Sequence, residues 1–216
     1  MNYKTIDMDS FPRRTHFEYF KGLAYPYVGF TVNVDITGFL AQQKRLGLPF
    51  YLALAYCVTR AANSVPEFRR RIHGDGIIEY DWCHGSHTVA LPDDTYCYCT
   101  LDCRMPFEEY LPRAAEAWER AKAASSIEDG EDADSLLFFS SIPWMSFTSV
   151  IQPTPSPADS NPRITWGKYF RQDGKVLLPL AVLCNHALVD GLHISRFYSA
   201  LDRELAELTD RLGDMG

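Results

Sequence analysis

An apolar run, Val176 to Cys184, is bounded by Lys175 and Asn185 and reads as a strand buried on both faces. It ends in Asn185-His186. After a turn containing Asp190-Gly191, apolar residues return at helical spacing (Leu192, Phe197, Leu201, Leu205, Leu208), which predicts an amphipathic helix. Upstream, Tyr27 to Asp35 alternates and is β-branched, a strand pattern. Thr37 is placed to cap a helix that Gly47 ends, and Leu48 to Val65 reads as a second, mostly buried helix stopped by Pro66. Ile72 to Asp81 predicts a hairpin around Gly74-Asp75-Gly76. Short strands follow at 87–91 and 95–101. Pro106 to Ser126 is the clearest surface helix, with Pro112 marking a kink or a late start. Leu136 to Ile151 reads mostly as extended chain. Arg163 to Arg171 and Lys175 to Asn185 form two strands joined by Gln172-Asp173-Gly174. Strands with intervening helices and a terminal helix predict an α/β or α+β sandwich.

At 216 residues the chain suits a single domain, 1–216, with a sizeable core. The net charge of −7 argues against a nucleic-acid surface, which calls for a basic patch. The one dense basic run, FRRR at 68–71, reads as a solvated edge. No apolar run is long enough for a membrane span, and MNYKTIDMDSFPRR is no signal peptide, so a cytoplasmic protein is the expectation. Six cysteines without a secretory signal are expected as free thiols. Cys97 and Cys99 lack the paired spacing of a zinc site, so no metal is expected. The acidic stretch 128–134 reads as a solvated loop. The proline-rich QPTPSPADSNP at 152–162 reads as a loop over a site and not as a linker, because the segment after it holds the core strand.

The chemistry concentrates at the end of the apolar strand. His186 is delivered there by a rigid element, and an imidazole titrates near neutral pH, as a general base must. In His-x-x-x-Asp-Gly, Asp190 can hold backbone groups or a buried cation, and Gly191 frees the backbone. By itself the pattern also fits an ordinary turn closing a strand.

NHALVDGLH resembles the HHxxxDG signature of the chloramphenicol acetyltransferase family. FPRRTHFEYF, SIPWMSFTSV and ITWGKYFRQDGKVLLPL resemble that family's segments in the same order, and the spacing from Thr165 to His186 matches without a gap. The resemblance runs nearly end to end. It implies a single acyltransferase domain with a two-layer α/β sandwich of the CoA-dependent acyltransferase type, built on a mixed sheet. It also implies a homotrimer with sites between subunits and acetyl-CoA as co-substrate. Acetyl would pass to a hydroxyl of chloramphenicol, in antibiotic resistance.

The resemblance further implies roles. His186 is the general base, its second nitrogen held by its own backbone carbonyl. Ser149 is the oxyanion donor, and Thr165 holds a water near the tetrahedral intermediate. Arg14, second of the arginine pair, forms a buried ion pair with Asp190. Lys168 and Tyr51 lie near the coenzyme, although they also read as a snorkelling lysine and a core tyrosine. Phe20, Tyr25, Tyr98 and Phe138 are candidates for the acceptor pocket, although aromatics of this kind are also common core residues. The sequence departs from the family at Asn185, where the first histidine stands, and in the pocket segment DTYCYCTLDC. These departures leave open a same-fold transferase acting on another small alcohol, or a binding protein without turnover.

Overall fold

The computed structural model describes residues 1–129 and 132–214. Gly130 and Glu131 of the acidic stretch lie outside them. In order the elements are β1 (Tyr3–Ile6), α1 (Arg14–Lys21), β2 (Tyr27–Asp35), α2 (Thr37–Arg45), α3 (Phe50–Asn63), a 3₁₀ turn (Pro66–Arg69), β3 (Arg70–His73), β4 (Gly76–Tyr80), β5 (Gly85–Ala90) and β6 (Tyr96–Leu101). There follow α4 (Phe107–Ala124), a second 3₁₀ turn (Ala133–Ser135), β7 (Leu137–Ile142), β8 (Arg163–Gly167), β9 (Phe170–Gln172), β10 (Lys175–Asn185) and α5 (Gly191–Gly213).

The main sheet runs β2-β10-β8-β7-β5-β6, with β9 also paired to β10. β5–β7 and β7–β8 are parallel and the other pairs antiparallel, so the sheet is mixed. Alternation along β10 sends Leu178, Leu180, Val182 and Cys184 into one core with Leu54 and Val58 of α3 and Ile194, Phe197 and Leu201 of α5. This is the two-layer α/β arrangement. Thr165, opposite Ala181 across the β8–β10 ladder, belongs to the other sheet face. A smaller sheet, β1-β4-β3, packs beside the main one. β1 has no legible signal, since its four residues YKTI are largely exposed and are held by pairing with β4.

Four local expectations are corrected. Thr37 does not cap α2. It is the first helical residue, and its hydroxyl donates to Asp35 Oδ1 (2.6 Å) and accepts from the Val176 amide (2.8 Å), which fastens the helix to β10. α4 runs unbroken through Pro112, whose exposed side leaves the freed carbonyl to water. Only Leu137–Ile142 of the long extended stretch is strand. The FRRR run is no solvated edge: Arg71 is fully buried, and its guanidinium donates to the carbonyls of Phe68, Arg70, Asp134 and Leu136. Four carbonyl acceptors satisfy the donors that water would otherwise take. All six cysteines are buried and unbridged.

His87 on β5 is fully buried, with Nδ1 3.1 Å from the Tyr51 hydroxyl, and burial lowers its pKa to about 3. The unfolded imidazole titrates near its ordinary value, so as pH falls through that value the unfolded chain binds the proton first. Stability is therefore full above pH 6.5 and lost as pH falls toward 3, by roughly 1 kcal/mol per unit. The melting temperature is expected to drop across this window in the native chain and to drop less in His87→Gln; parallel pH curves would contradict the assignment.

Candidate active site

β10 carries the chain to Asn185 and then turns sharply. The His186 amide donates to the Pro26 carbonyl (2.7 Å), and Leu188 and Val189 amides close back on the Asn185 carbonyl (3.1 and 3.0 Å). The His186 ring lies against Phe20 at 3.8 Å between centroids, close to parallel. Its Nδ1 is 2.9 Å from the carbonyl of Val189. The tether is thus three residues downstream and not the histidine's own carbonyl. A carbonyl accepts only, so Nδ1 carries the proton and Nε2 is left as the acceptor nitrogen, the form a base requires.

Asp190 ends the turn and starts α5. Its Oδ1 accepts from the Leu192 and His193 amides (3.0 and 3.4 Å), while its own amide donates to His193 Nδ1 (3.1 Å), a capping box with histidine in the usual glutamate place. Its Oδ2 accepts from Arg13 Nη1. The expected partner, Arg14, is not there. α1 begins at Arg14, and successive helical residues leave in different directions. Arg14 points outward to Asp9 and to Glu18 one turn on, at 3.0 and 2.9 Å. Arg13, just before the helix, turns inward. Burial pushes the Asp190 carboxyl up, but the bond from Arg13 and the nearby His193 outweigh it, and the pKa lies below the ordinary value. Burial also lowers His193, against Glu67 and Asp190.

Asn185 is buried at 2% exposure and does more than fill space. Its amide donates to the Asp159 carbonyl (2.9 Å) and its Oδ1 accepts from the Ala187 amide (3.0 Å). The Asp159 carboxylate holds Arg163 with both oxygens (2.8 and 2.7 Å) and accepts from the Tyr27 hydroxyl (2.9 Å). Burial first, then the Asp159 charge, raises the Tyr27 phenol to about 12, so it stays a donor. The proline-rich loop is thereby fastened to the His186 turn.

The start of the loop and the segment before it, with Pro143, Trp144, Val150, Ile151, Gln152 and Pro153, roof a cavity of about 590 Å³ on the sheet face away from α3 and α5. Thr165, Tyr98 and Phe138, three predicted site residues, line it together with Ser86 and Asp129. Ser149 is exposed in the roof beside the lining residue Val150. The roof is anchored where Lys168 donates its amide to the Met145 carbonyl (2.8 Å) and Phe147 presses on Gly167. A Cβ at Gly167 would meet the Phe147 ring at 2.8 Å, which explains glycine there. Lys168 is exposed. Tyr51 is half-buried, its ring packed among Trp118, Trp166 and His87, and it is not among the residues lining the cavity. Tyr25 is exposed and leans on Tyr27.

The predicted residues thus fall into two groups. His186, Phe20, Asp190 and Tyr25 gather at the end of β10; Thr165, Tyr98, Phe138 and Ser149 gather at the cavity. Thr165 pairs with Ala181, and His186 lies about 16 Å further along β10. Sequence reasoning missed Arg13, His193 and Asp159. The spacing Asp190-x-x-His193 was a capping-box signal that could have flagged the second; Asp159 is visible only once the loop is folded.

The family model described as Chloramphenicol acetyltransferase matches residues 1–202. A chloramphenicol acetyltransferase of Clostridium perfringens is 32% identical across 99% of this chain and 100% of its own length. One of Escherichia coli is 30% identical across 93% of each. Among solved structures, a chloramphenicol acetyltransferase superposes with a TM-score of 0.87 at 24% identity, covering 94% of this chain and all of that one. The cubic core of a pyruvate dehydrogenase complex superposes at 0.63 with 21% identity, covering 90% and 86%. The chain belongs to the chloramphenicol acetyltransferase family, a family of acyltransferases.

Removing Arg13 strands the Asp190 carboxylate in a half-buried turn. Arg13→Ala is expected to cost about 2 kcal/mol, a melting-temperature loss of about 4–8 °C. Arg14→Ala, on the solvent side, is expected to leave the transition nearly unmoved. Thermal unfolding of both variants checks this, and equal losses would contradict the pairing.

Proposed function

We propose that the chain is an O-acetyltransferase moving the acetyl group of acetyl-CoA to a hydroxyl of chloramphenicol, with His186 as general base and Ser149 as oxyanion donor. The observation that carries this reading is the His186 ring held through Nδ1, with Nε2 left as acceptor at the end of a rigid strand. Acetyl-CoA supplies the acetyl group activated as a thioester. Nε2 takes the hydroxyl proton as the oxygen attacks, and returns it to the departing thiolate. The Ser149 hydroxyl donates to the thioester oxygen as charge builds there, worth about 3 kcal/mol. Thr165, buried in the cavity wall, holds the ordered water of this site. Asp190, tied to Arg13 and to the α5 amides, is a clamp on the turn and takes no proton.

The coenzyme is met by the exposed Lys168, a cation suited to its phosphates, and by the roof loop. Within one chain the base and the cavity lie at separate places, which supports reading the working unit as a homotrimer in which His186 of one subunit faces the cavity of the next. Exposed apolar residues support that assembly: Phe30 and Val32 on the edge strand β2, Trp144 and Ile151 in the roof, and Leu192. Each subunit of the trimer is read as a single domain, and the enzyme as acting in the cytoplasm. The lining also favours a second reading, the same transfer to another small alcohol, because carboxylates and hydroxyls share the wall with Phe138.

The direct assay is release of free CoA thiol from acetyl-CoA with and without chloramphenicol. Release is expected to depend on chloramphenicol and to fall about 10²- to 10⁴-fold in His186→Ala while acetyl-CoA still binds. Near-normal turnover of His186→Ala would remove the base assignment. Coenzyme binding without chloramphenicol-dependent release would move the acceptor to another alcohol.

A further inference from the structure

The cavity wall carries charge for which the transfer chemistry has no use. Asp129 enters it from the segment after α4, and its Oδ1 accepts from the hydroxyl of the buried Ser86. Its one side-chain partner among the described residues is Ser86. Burial raises its pKa, opposed by the Ser86 bond, and a cation seated beside it would favour the charged form. A second carboxylate, Asp94, lines the cavity too. The lining's one cation among the described residues, Arg163, is already neutralised by both Asp159 oxygens at 2.8 and 2.7 Å. The wall thus offers two carboxyl groups, Asp94 and Asp129, and no free cation among the described residues.

The neutral surfaces around that charge are aromatic. Tyr96 and Tyr98 stack at 5.9 Å between centroids, and Phe138 lies across the cavity floor under the Arg163 guanidinium at 5.4 Å. Aromatic faces attract a cation, and a half-buried carboxylate beside them gives it a counter-ion. Ser140, Ser141 and Thr88 supply hydroxyls along the same wall.

We propose that the acceptor site takes amino alcohols in preference to neutral ones such as chloramphenicol, with the protonated amine against Asp129 and the tyrosine pair while the hydroxyl reaches the base. This rests on the acetyl-transfer reading above and names the acceptor class for that same site. The proton balance of the transfer is unchanged, because the ammonium only positions the hydroxyl.

Chloramphenicol and its free-amine form, which lacks the dichloroacetyl group, share their hydroxyls and differ in charge at one nitrogen. Acetylation of the two by the full-length protein is compared, with chromatography separating O-acetyl from N-acetyl products. The kcat/KM for O-acetylation is expected to favour the amine by about tenfold, and Asp129→Asn, equal in shape, is expected to erase that ratio. A wild-type ratio at or below one, or a ratio that Asp129→Asn leaves intact, overturns the proposal while transfer to chloramphenicol stands. Absence of O-acetylation of either compound, with thiol release absent as well, overturns the acyl-transfer reading itself.

Discussion

The Asp190 carboxylate is the point at which distant parts of the chain are made to agree. One oxygen closes the first turn of α5, a helix of 23 residues whose positive end it faces, and the other takes Arg13 from the N-terminal segment. A charge in a half-buried place persists only when its lone pairs are filled, and here amides and a guanidinium fill them. With that end fixed, residues 186–189 have little freedom left: the Val189 carbonyl meets the His186 ring, and Phe20, one helix downstream of Arg13, covers its face. The orientation of the imidazole is a consequence of how α5 starts.

Behind Asp190 the same logic continues. His193 stands 3.8 Å from Glu67, Glu67 pairs with Arg70, and Arg70 pairs with Glu79 on β4. The smaller sheet, which takes no part in the site, is linked to it through this sequence of charges. On the opposite side Asn185 binds the turn to Asp159, and through Arg163 to the cavity wall. A histidine at 185 would present a ring where one short amide now donates and accepts at once, so the departure from the family pattern has a geometric use in this chain.

Much of this was legible in the sequence because it follows from periodicity. The apolar run 176–184, the helix after it, and the strand at 27–35 stand where alternation and 3.6-residue spacing place them. Asp173-Gly174 turns with positive φ at both residues (50° and 78°), as a tight hairpin demands. Three of the five proposed pocket or water-holding residues, Tyr98, Phe138 and Thr165, line one cavity. What periodicity does not encode is which way a side chain leaves a helix start. That is why the Arg13–Arg14 pair was read one residue off. Arg71 shows the same limit, since a buried guanidinium satisfied by four carbonyls looks identical in sequence to a solvated one. β1 depends wholly on its partner strand.

The claim that most of the proposal hangs on is that the base of one subunit serves the cavity of another. It is tested by co-expressing His186→Ala chains with Ser149→Ala chains and assaying the mixed assemblies for chloramphenicol-dependent thiol release. In a head-to-tail ring about a quarter of the randomly mixed sites receive both intact groups, so activity is expected near that fraction of wild type, far above either variant alone. Activity no greater than the sum of the two separate variants would mean that each chain completes its own site, and would contradict the account.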